Sequence, residues 1–243
     1  MQLLRAWSHR LRTVQCVRSR VVTAIALILS ASCPASLNAA PSEAASTQTT
    51  TSLAKVVSRV PTKDRVVFVT IDDGFTRSVE AAKTLERLQW PVTAFVLPGP
   101  LSQNVAYYRN HGSITEFANH TVNHPNLTRL SERRQRAEIC SARDRVTKLT
   151  GNMTTFFRPP GGNYDVTTRR AAAACGITHL LMWRVTVWGD VISTWGGGIK
   201  AGDVILLHYV KSLDQSLLLL EKELNRLNLK PALLSDYLTP QAK

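Results

Sequence analysis

The chain has 243 residues, 44% of them hydrophobic, and carries 30 basic against 17 acidic side chains, a formal net charge of +13. That length suits one well-buried domain with a small appendage and argues against several domains, while the charge points to anionic partners. No basic stripe is interleaved with aromatic residues, which disfavours nucleic acid and leaves wall polymers or lipid head groups.

Arg5, Arg10, Arg12, Arg18 and Arg20 precede an apolar run over 21–29 and then small residues, the pattern of a secretory signal over 1–40. The run is shorter than the roughly 20 apolar residues a membrane helix needs. A secreted or cell-envelope protein is therefore expected, with attachment of a lipid to Cys33 as the weaker alternative. Residues 41–62, rich in Ser, Thr and Ala at their start and without apolar period there, are expected to be a disordered linker, and 63–240 the folded domain. Without the five leading arginines, 25 basic side chains still face 17 acidic ones, a balance near +8.

Residues 66–71, Val-Val-Phe-Val-Thr-Ile, form a short β-branched run that predicts a strand covered on both faces, as in a parallel sheet. It ends in Asp72, Asp73 and Gly74, and the carboxyl ends of such strands are where catalytic groups collect. Adjacent residues of a regular strand point to opposite faces, so the two carboxylates converge only if the strand stops there, a turn that Gly74 permits. A solvated Asp-Asp-Gly turn is the plain alternative for this stretch alone.

The spacing then predicts a helix over 77–88 stopped by Pro91, a strand over 92–97 closed by Pro98-Gly99-Pro100, and a helix over 103–109. A third strand over 114–118 ends in Asn119-His120-Thr121-Val122-Asn123-His124-Pro125. A long helix follows from an N-cap at Ser131, with Ile139, Ala142, Val146 and Leu149 inward, arginines outward and Gly151 at its end. A strand over 155–157 runs into Arg158-Pro159-Pro160-Gly161-Gly162, and an Ala-rich helix over 167–175 is stopped by Gly176. Strands over 177–182 and 184–188, a flexible Gly196-Gly197-Gly198 connection, a strand over 203–207 ending in His208, an amphipathic helix over 213–227 and a short strand over 232–234 complete one α/β domain, expected to be a barrel. Cys140 and Cys175 fall on predicted helices; an oxidising compartment favours a bridge, with two buried thiols as the alternative.

Separate strand ends thus present Asp72 and Asp73, His120 and His124, Arg158, and His208. Two imidazoles and a carboxylate suit a divalent transition metal, and catalytic sites of this kind use three protein ligands with one position open. His120 and His124 can face one way if their segment is helical or tightly turned. A lone His-x-x-x-His is common by chance, whereas the joint set is not; His9, His111 and His179 lack such company.

The segments Thr-Ile-Asp-Asp-Gly, Asn-His-Thr-Val-Asn-His-Pro, Arg-Pro-Pro-Gly-Gly and Leu-Leu-His resemble, in order and approximate spacing, the motifs of the polysaccharide deacetylases, metal-dependent carbohydrate esterases with a NodB-homology domain. The resemblance implies a distorted, incomplete (β/α) barrel that hydrolyses N-acetyl groups on an amino-sugar polymer, peptidoglycan or chitin-like; separately, the chain is expected to be a monomer. It implies that Asp73, His120 and His124 hold a divalent metal, zinc first, with cobalt, nickel or manganese as alternatives. It also implies Asp72 as general base, His208 as general acid, and Arg158 as the cation that orients Asp72 and keeps it ionised. The Gly161 amide would face the oxyanion, Leu206 the acetyl methyl, and Trp188 the groove wall. The chain departs from the pattern where Thr186 replaces an Asp expected to pair with Arg158, where Gly161 replaces an aromatic residue, and where Tyr209 replaces a frequent Asp. Asp190, with Gly189 beside it to let the backbone adjust, is the favoured substitute partner for Arg158; the alternative is that Thr186 leaves Arg158 without a carboxylate, Asp72 less well held and turnover modest. The alternatives are an O-acetyl esterase acting on xylan or another amide hydrolase of the same fold, and an inactive wall-binding module.

Overall fold

The computed structural model describes residues 52–109, 115–151 and 155–239. The signal-like residues 1–40, with Cys33, the linker positions 41–51 and His111 lie outside the described residues. In chain order the elements are β1 (Lys55–Val57), β2 (Val66–Asp73), α1 (Val79–Leu88), β3 (Val92–Val96), α2 (Pro98–Gln103), α3 (Val105–Arg109) and β4 (Thr115–Asn119). They continue with α4 (Glu132–Thr150), β5 (Phe156–Phe157), α5 (Val166–Ala174), β6 (His179–Leu181), β7 (Val185–Trp188), β8 (Val191–Thr194), β9 (Val204–His208), α6 (Leu213–Leu227), β10 (Lys230–Pro231) and α7 (Ser235–Leu238).

The strands form one sheet in the order β1, β6, β5, β4, β3, β2, β9, β7, β8, with β10 added beside β2. Every pairing between these strands is parallel except the β7–β8 hairpin, so the carboxyl ends of β2, β4, β5, β7 and β9 open on one side. The sheet has edges at β1 and β8, which makes the molecule the expected incomplete (β/α) barrel.

Strand periodicity explains what reaches that side. Val67, Val69 and Ile71 of β2 pack with Ala81 and Leu85 of α1 and Leu217, Leu220 and Leu224 of α6. The alternate residue Phe68 faces a second core with Phe95, Ala118, Phe156, Leu181 and Val204. Both faces of β2 are therefore apolar, hence the uninterrupted run in the sequence. Continuing the two-residue period along β2, β4, β5 and β9 sends Thr70, Asp72, His120, Arg158, Leu206 and His208 toward the face that Phe68 shares. Register places Asp72 opposite His208 and Thr70 opposite Leu206, with Thr186 of β7 at the same level as Leu206.

Local chemistry sets the helix ends. Ser78 caps α1 by accepting from the Ala81 amide at 3.1 Å, and Asp165 with Thr168 forms a reciprocal cap on α5. Gly151 closes α4 in the left-handed region at φ 77°, as its position predicts. A third core of Leu127, Ile139, Ala171, Ala172, Ile177 and Leu180 joins α4 to α5. There Cys140 and Cys175 form a disulfide with Cα atoms 5.0 Å apart.

Several expectations need correction. The linker does not reach residue 62: Lys55–Val57 is a strand paired with β6, and Val60 is buried in the second core. A three-residue strand is too short to register as a periodic pattern, so its pairing partner defines it. Pro98-Gly99-Pro100 does not merely close β3 but opens α2, where a proline in the first turn lacks no required donor. The strand expected over 232–234 lies earlier, at Lys230–Pro231, and Leu234 instead begins α7. The hairpin strand β8 was not expected, although Gly189-Asp190 between two β-branched runs is a two-residue hairpin signal.

Candidate metal and acid-base site

The strand that delivers the acids ends within the pair itself. Asp73 adopts φ 77° and Gly74 φ 99°, so the chain turns one residue earlier than Gly74 alone requires. This breaks the alternation and lets both carboxylates approach the same imidazole: His120 Nε2 lies 3.8 Å from Asp72 Oδ2 and 3.4 Å from Asp73 Oδ1. His124 Nε2 lies 3.4 Å from the same Asp73 oxygen. The histidine segment is not helical. Thr121 at φ 69° and His124 at φ 57° wind it into a tight loop, and Glu138 of α4 clamps that loop by accepting from the amides of Val122 and Asn123 at 3.0 and 2.9 Å.

Ligating atoms of Asp73, His120 and His124 all lie within 4.8 Å of one another. Two further observations fit a divalent cation there. His120 Nδ1 contacts the Arg158 carbonyl at 2.8 Å, and a carbonyl can only accept, so Nδ1 carries a hydrogen and Nε2, the nitrogen nearest Asp73, is the one available to a metal. Asp73 Oδ1 is buried without a hydrogen-bond partner among the described residues, an orphaned acceptor that a cation would satisfy. Burial raises the Asp73 pKa, but the neighbouring imidazoles of His120, His208 and His124 hold it below the usual value. Burial, and then the nearness of the His120 imidazole, keep His124 below its ordinary pKa against the pull of Asp73 and Asp72, which favours the ligating form.

The second part of the site is a buried ion pair. Arg158 is fully buried and Asp72 is 2% exposed. The Arg158 Nη1 donates to Asp72 Oδ1 at 2.6 Å and to Thr70 Oγ1 at 2.8 Å, and its Nε to the Leu181 carbonyl at 3.0 Å. The guanidinium lies over the Phe95 ring at 4.2 Å. Burial lowers the Arg158 pKa, opposed by Asp72. Its Nη2, however, is buried with no hydrogen-bond partner among the described residues.

Asp190 does not fill that vacancy. It is exposed in the two-residue β7–β8 turn, and the neighbouring Gly189 amide is tied to Ser216 Oγ of α6 at 2.8 Å, so the flexibility expected of Gly189 is spent on anchoring the turn. Thr186 faces the site side of β7 but offers no carboxylate. On the other flank, His208 Nδ1 is also buried without a hydrogen-bond partner among the described residues, and its ring is steadied by Trp188 at 5.2 Å between centroids. Leu206 lies one period below His208 and is 4% exposed. Gly161 sits at φ 61° in a 3₁₀ turn, where an added Cβ would meet Asn163 at 3.0 Å; the conformation accounts for glycine in place of an aromatic residue.

These contacts accompany a specific match in sequence: residues 59–180 fit the polysaccharide deacetylase family. The chain belongs to that family. Among relatives, an uncharacterized protein of Streptomyces coelicolor is 39% identical over 63% of this chain and 63% of its own length. A bifunctional xylanase/xylan deacetylase of Cellvibrio japonicus is 27% identical over 58% of this chain and 22% of its own. A peptidoglycan-N-acetylglucosamine deacetylase of Listeria monocytogenes is 27% identical over 69% and 38% respectively. The deacetylase-family chain thus spans less than two thirds of each of these relatives. A family 4 carbohydrate esterase from Bacillus anthracis shares the fold at a TM-score of 0.63 and 21% identity, over 75% of this chain and 86% of that one.

Sequence reasoning missed Thr70, whose hydroxyl accepts from Arg158 while donating to the Ile205 carbonyl at 2.7 Å. Its signal was a lone polar residue two before Asp72 in an apolar run, in phase with the acid. It also missed Glu138, which no local pattern on α4 distinguishes from a solvated acid.

Proposed function

We propose that this chain is an exported, metal-dependent polysaccharide deacetylase that hydrolyses N-acetyl groups of an amino-sugar polymer, peptidoglycan or a chitin-like glycan. The observation that carries the reading is the meeting of an Asp73, His120 and His124 triad with a separately held Asp72 and an opposed His208. The N-terminal basic and apolar segment supports export.

Asp73, His120 and His124 would hold the ion, and zinc suits two imidazoles and one carboxylate. When bound, such an ion supplies Lewis acidity toward a carbonyl oxygen and makes water acidic enough to react near neutral pH. Asp72 keeps one oxygen on Arg158 and turns the other toward the histidines, where it can take a proton from attacking water. His208, the register partner of Asp72 on the adjacent strand β9, donates a proton to the amine as it leaves; without that proton the amine is a very poor leaving group. The Gly161 amide supports the oxyanion and Leu206 receives the acetyl methyl.

The deciding experiment measures acetate release by the metal-loaded protein from chitooligosaccharides, peptidoglycan and acetylxylan. Release from an N-acetylated glycan is expected. Release from acetylxylan alone would replace the reading with the O-acetyl esterase, and none from any substrate would leave the wall-binding module.

A further inference from the structure

Away from the proposed active site, the outer face of α4 carries a charge that no acidic side chain among the described residues balances. Arg133, Arg134, Arg136, Arg145 and Lys148 are exposed and none has an ion-pair partner among the described residues. The acids of the same helix are already engaged: Glu132 with Arg170 at 3.0 Å, Glu138 with the histidine loop, and Asp144 with Arg143 at 2.6 Å. The inward side of α4, formed by Gln135, Ile139, Ala142, Val146 and Thr150, is fully used in packing, so the cations belong to a separate face. Arg133, Arg134 and Arg136 moreover sit at the start of the helix, the positive end of its dipole, where cations oppose helix formation. Local stability therefore does not explain them.

The other end of this face is concave. Arg145 and Lys148 converge on a cavity of about 320 Å3 between α4 and α2, lined also by Pro98, Gly99, Ser102 and Leu149. A 19-residue helix is about 28 Å long, so the face offers a track of positive charge that ends in a recess.

We infer that this face docks a linear polymer of phosphodiesters that carries no bases, a polyol-phosphate chain of the kind an exported protein meets at an anionic wall. Charge complementarity selects phosphate, and the uncharged exposed residue between the cations, Ala137, is too small to stack on a base or wedge into a bilayer. A flat lipid surface could meet the convex helix but could not enter the recess, whereas a chain can follow one and end in the other. The face is distinct from the acid-base site, so the inference rests on the export part of the proposed function and not on deacetylation.

The test is binding of fluorescently labelled poly(glycerol phosphate) to the full chain, followed by anisotropy over a series of salt concentrations. The unaltered protein is expected to bind, with log affinity falling linearly in log salt. The triple change Arg133→Gln, Arg134→Gln, Arg136→Gln and the double change Arg145→Gln, Lys148→Gln should each weaken binding at least tenfold. Each should also shallow the slope by about 0.7 per cation removed. A control carrying Lys83→Gln, Lys222→Gln and Lys230→Gln loses the same charge as the triple variant from other surfaces and should keep its slope. The double variant lies far along the helix from the triple, so misfolding of one leaves the other to decide. The proposal is overturned if the unaltered protein does not bind, if the control loses as much as the face variants, or if phosphatidylglycerol vesicles or duplex DNA bind more tightly than the polymer. Acetate release from a short chitooligosaccharide should be the same in all variants that fold.

Discussion

The unpartnered Nη2 of Arg158 has a direct energetic reading: a buried donor without an acceptor costs about 1–3 kcal/mol, more when charged. It also leaves Asp72 oriented by a single Nη1 contact and not by a guanidinium braced from both sides. Turnover is therefore expected to be modest at full metal occupancy. Thr186→Asp, placed on the site side of β7, should raise kcat by giving Nη2 a carboxylate, while Asp190→Asn in the exposed turn should be silent. Steady-state kinetics on one N-acetylated substrate reads both; a large loss in Asp190→Asn would mean that the turn reaches Arg158 in solution. A second pair of variants separates binding from proton transfer. His120→Ala should lose metal and activity together, whereas Asp72→Asn should keep metal and lose turnover by about 10²–10⁴-fold. Metal analysis of the purified variants distinguishes the two, and a metal-free Asp72→Asn protein would show the aspartates exchanged.

At the level of elements, the α4–α5 junction is held by a bridge over a sequence separation of 35 residues. Loop-closure entropy assigns such a link about 4 kcal/mol, so Cys140→Ser should lower the unfolding free energy by roughly that amount, measured by denaturant titration of oxidised and reduced protein. A smaller opposing effect sits on β4. Burial raises the Glu116 pKa above the ordinary 4.5 against hydrogen bonds from Ser235 and Thr93, with Asp236 adding to the rise, and its Oε1 has no hydrogen-bond partner among the described residues. The folded protein therefore holds this proton more tightly than the unfolded chain, and stability falls as pH rises from the unfolded value through the folded one. Glu116→Gln should stabilise the protein at neutral pH, with the gain shrinking as the pH approaches 4.5 from above. Melting curves across that range check the sign.

For the molecule as a whole, the sequence was legible where a residue's neighbours in the chain determine its role. The buried run of β2, the amphipathic α6 and the chemistry-bearing strand ends follow from period and composition, and the barrel follows from their alternation. What stayed hidden depends on distant partners. β1 exists because β6 offers it an edge, Glu138 matters because the histidine loop folds over it, and Asp190 fails as a substitute because Ser216 pins its neighbour. The domain boundary shows the same thing in testable form. A chain beginning at residue 63 lacks β1 and the buried Val60, leaving an uncovered edge on β6, and should melt at lower temperature and aggregate more readily than one beginning at residue 52. Equal melting temperatures would return those residues to the linker.

Arg158 serves both parts of the site through different atoms: its carbonyl fixes the His120 tautomer and its guanidinium holds Asp72. Every amino acid supplies the carbonyl, but only this side chain supplies the guanidinium. On the proposed function, a change at position 158 would thus act in one order, with the hold on Asp72 lost while His120 keeps its orientation. If the proposed function holds, such a variant would keep its metal ligands and its hold on the glycan, and so would compete with the unaltered protein for substrate instead of being an inert remnant.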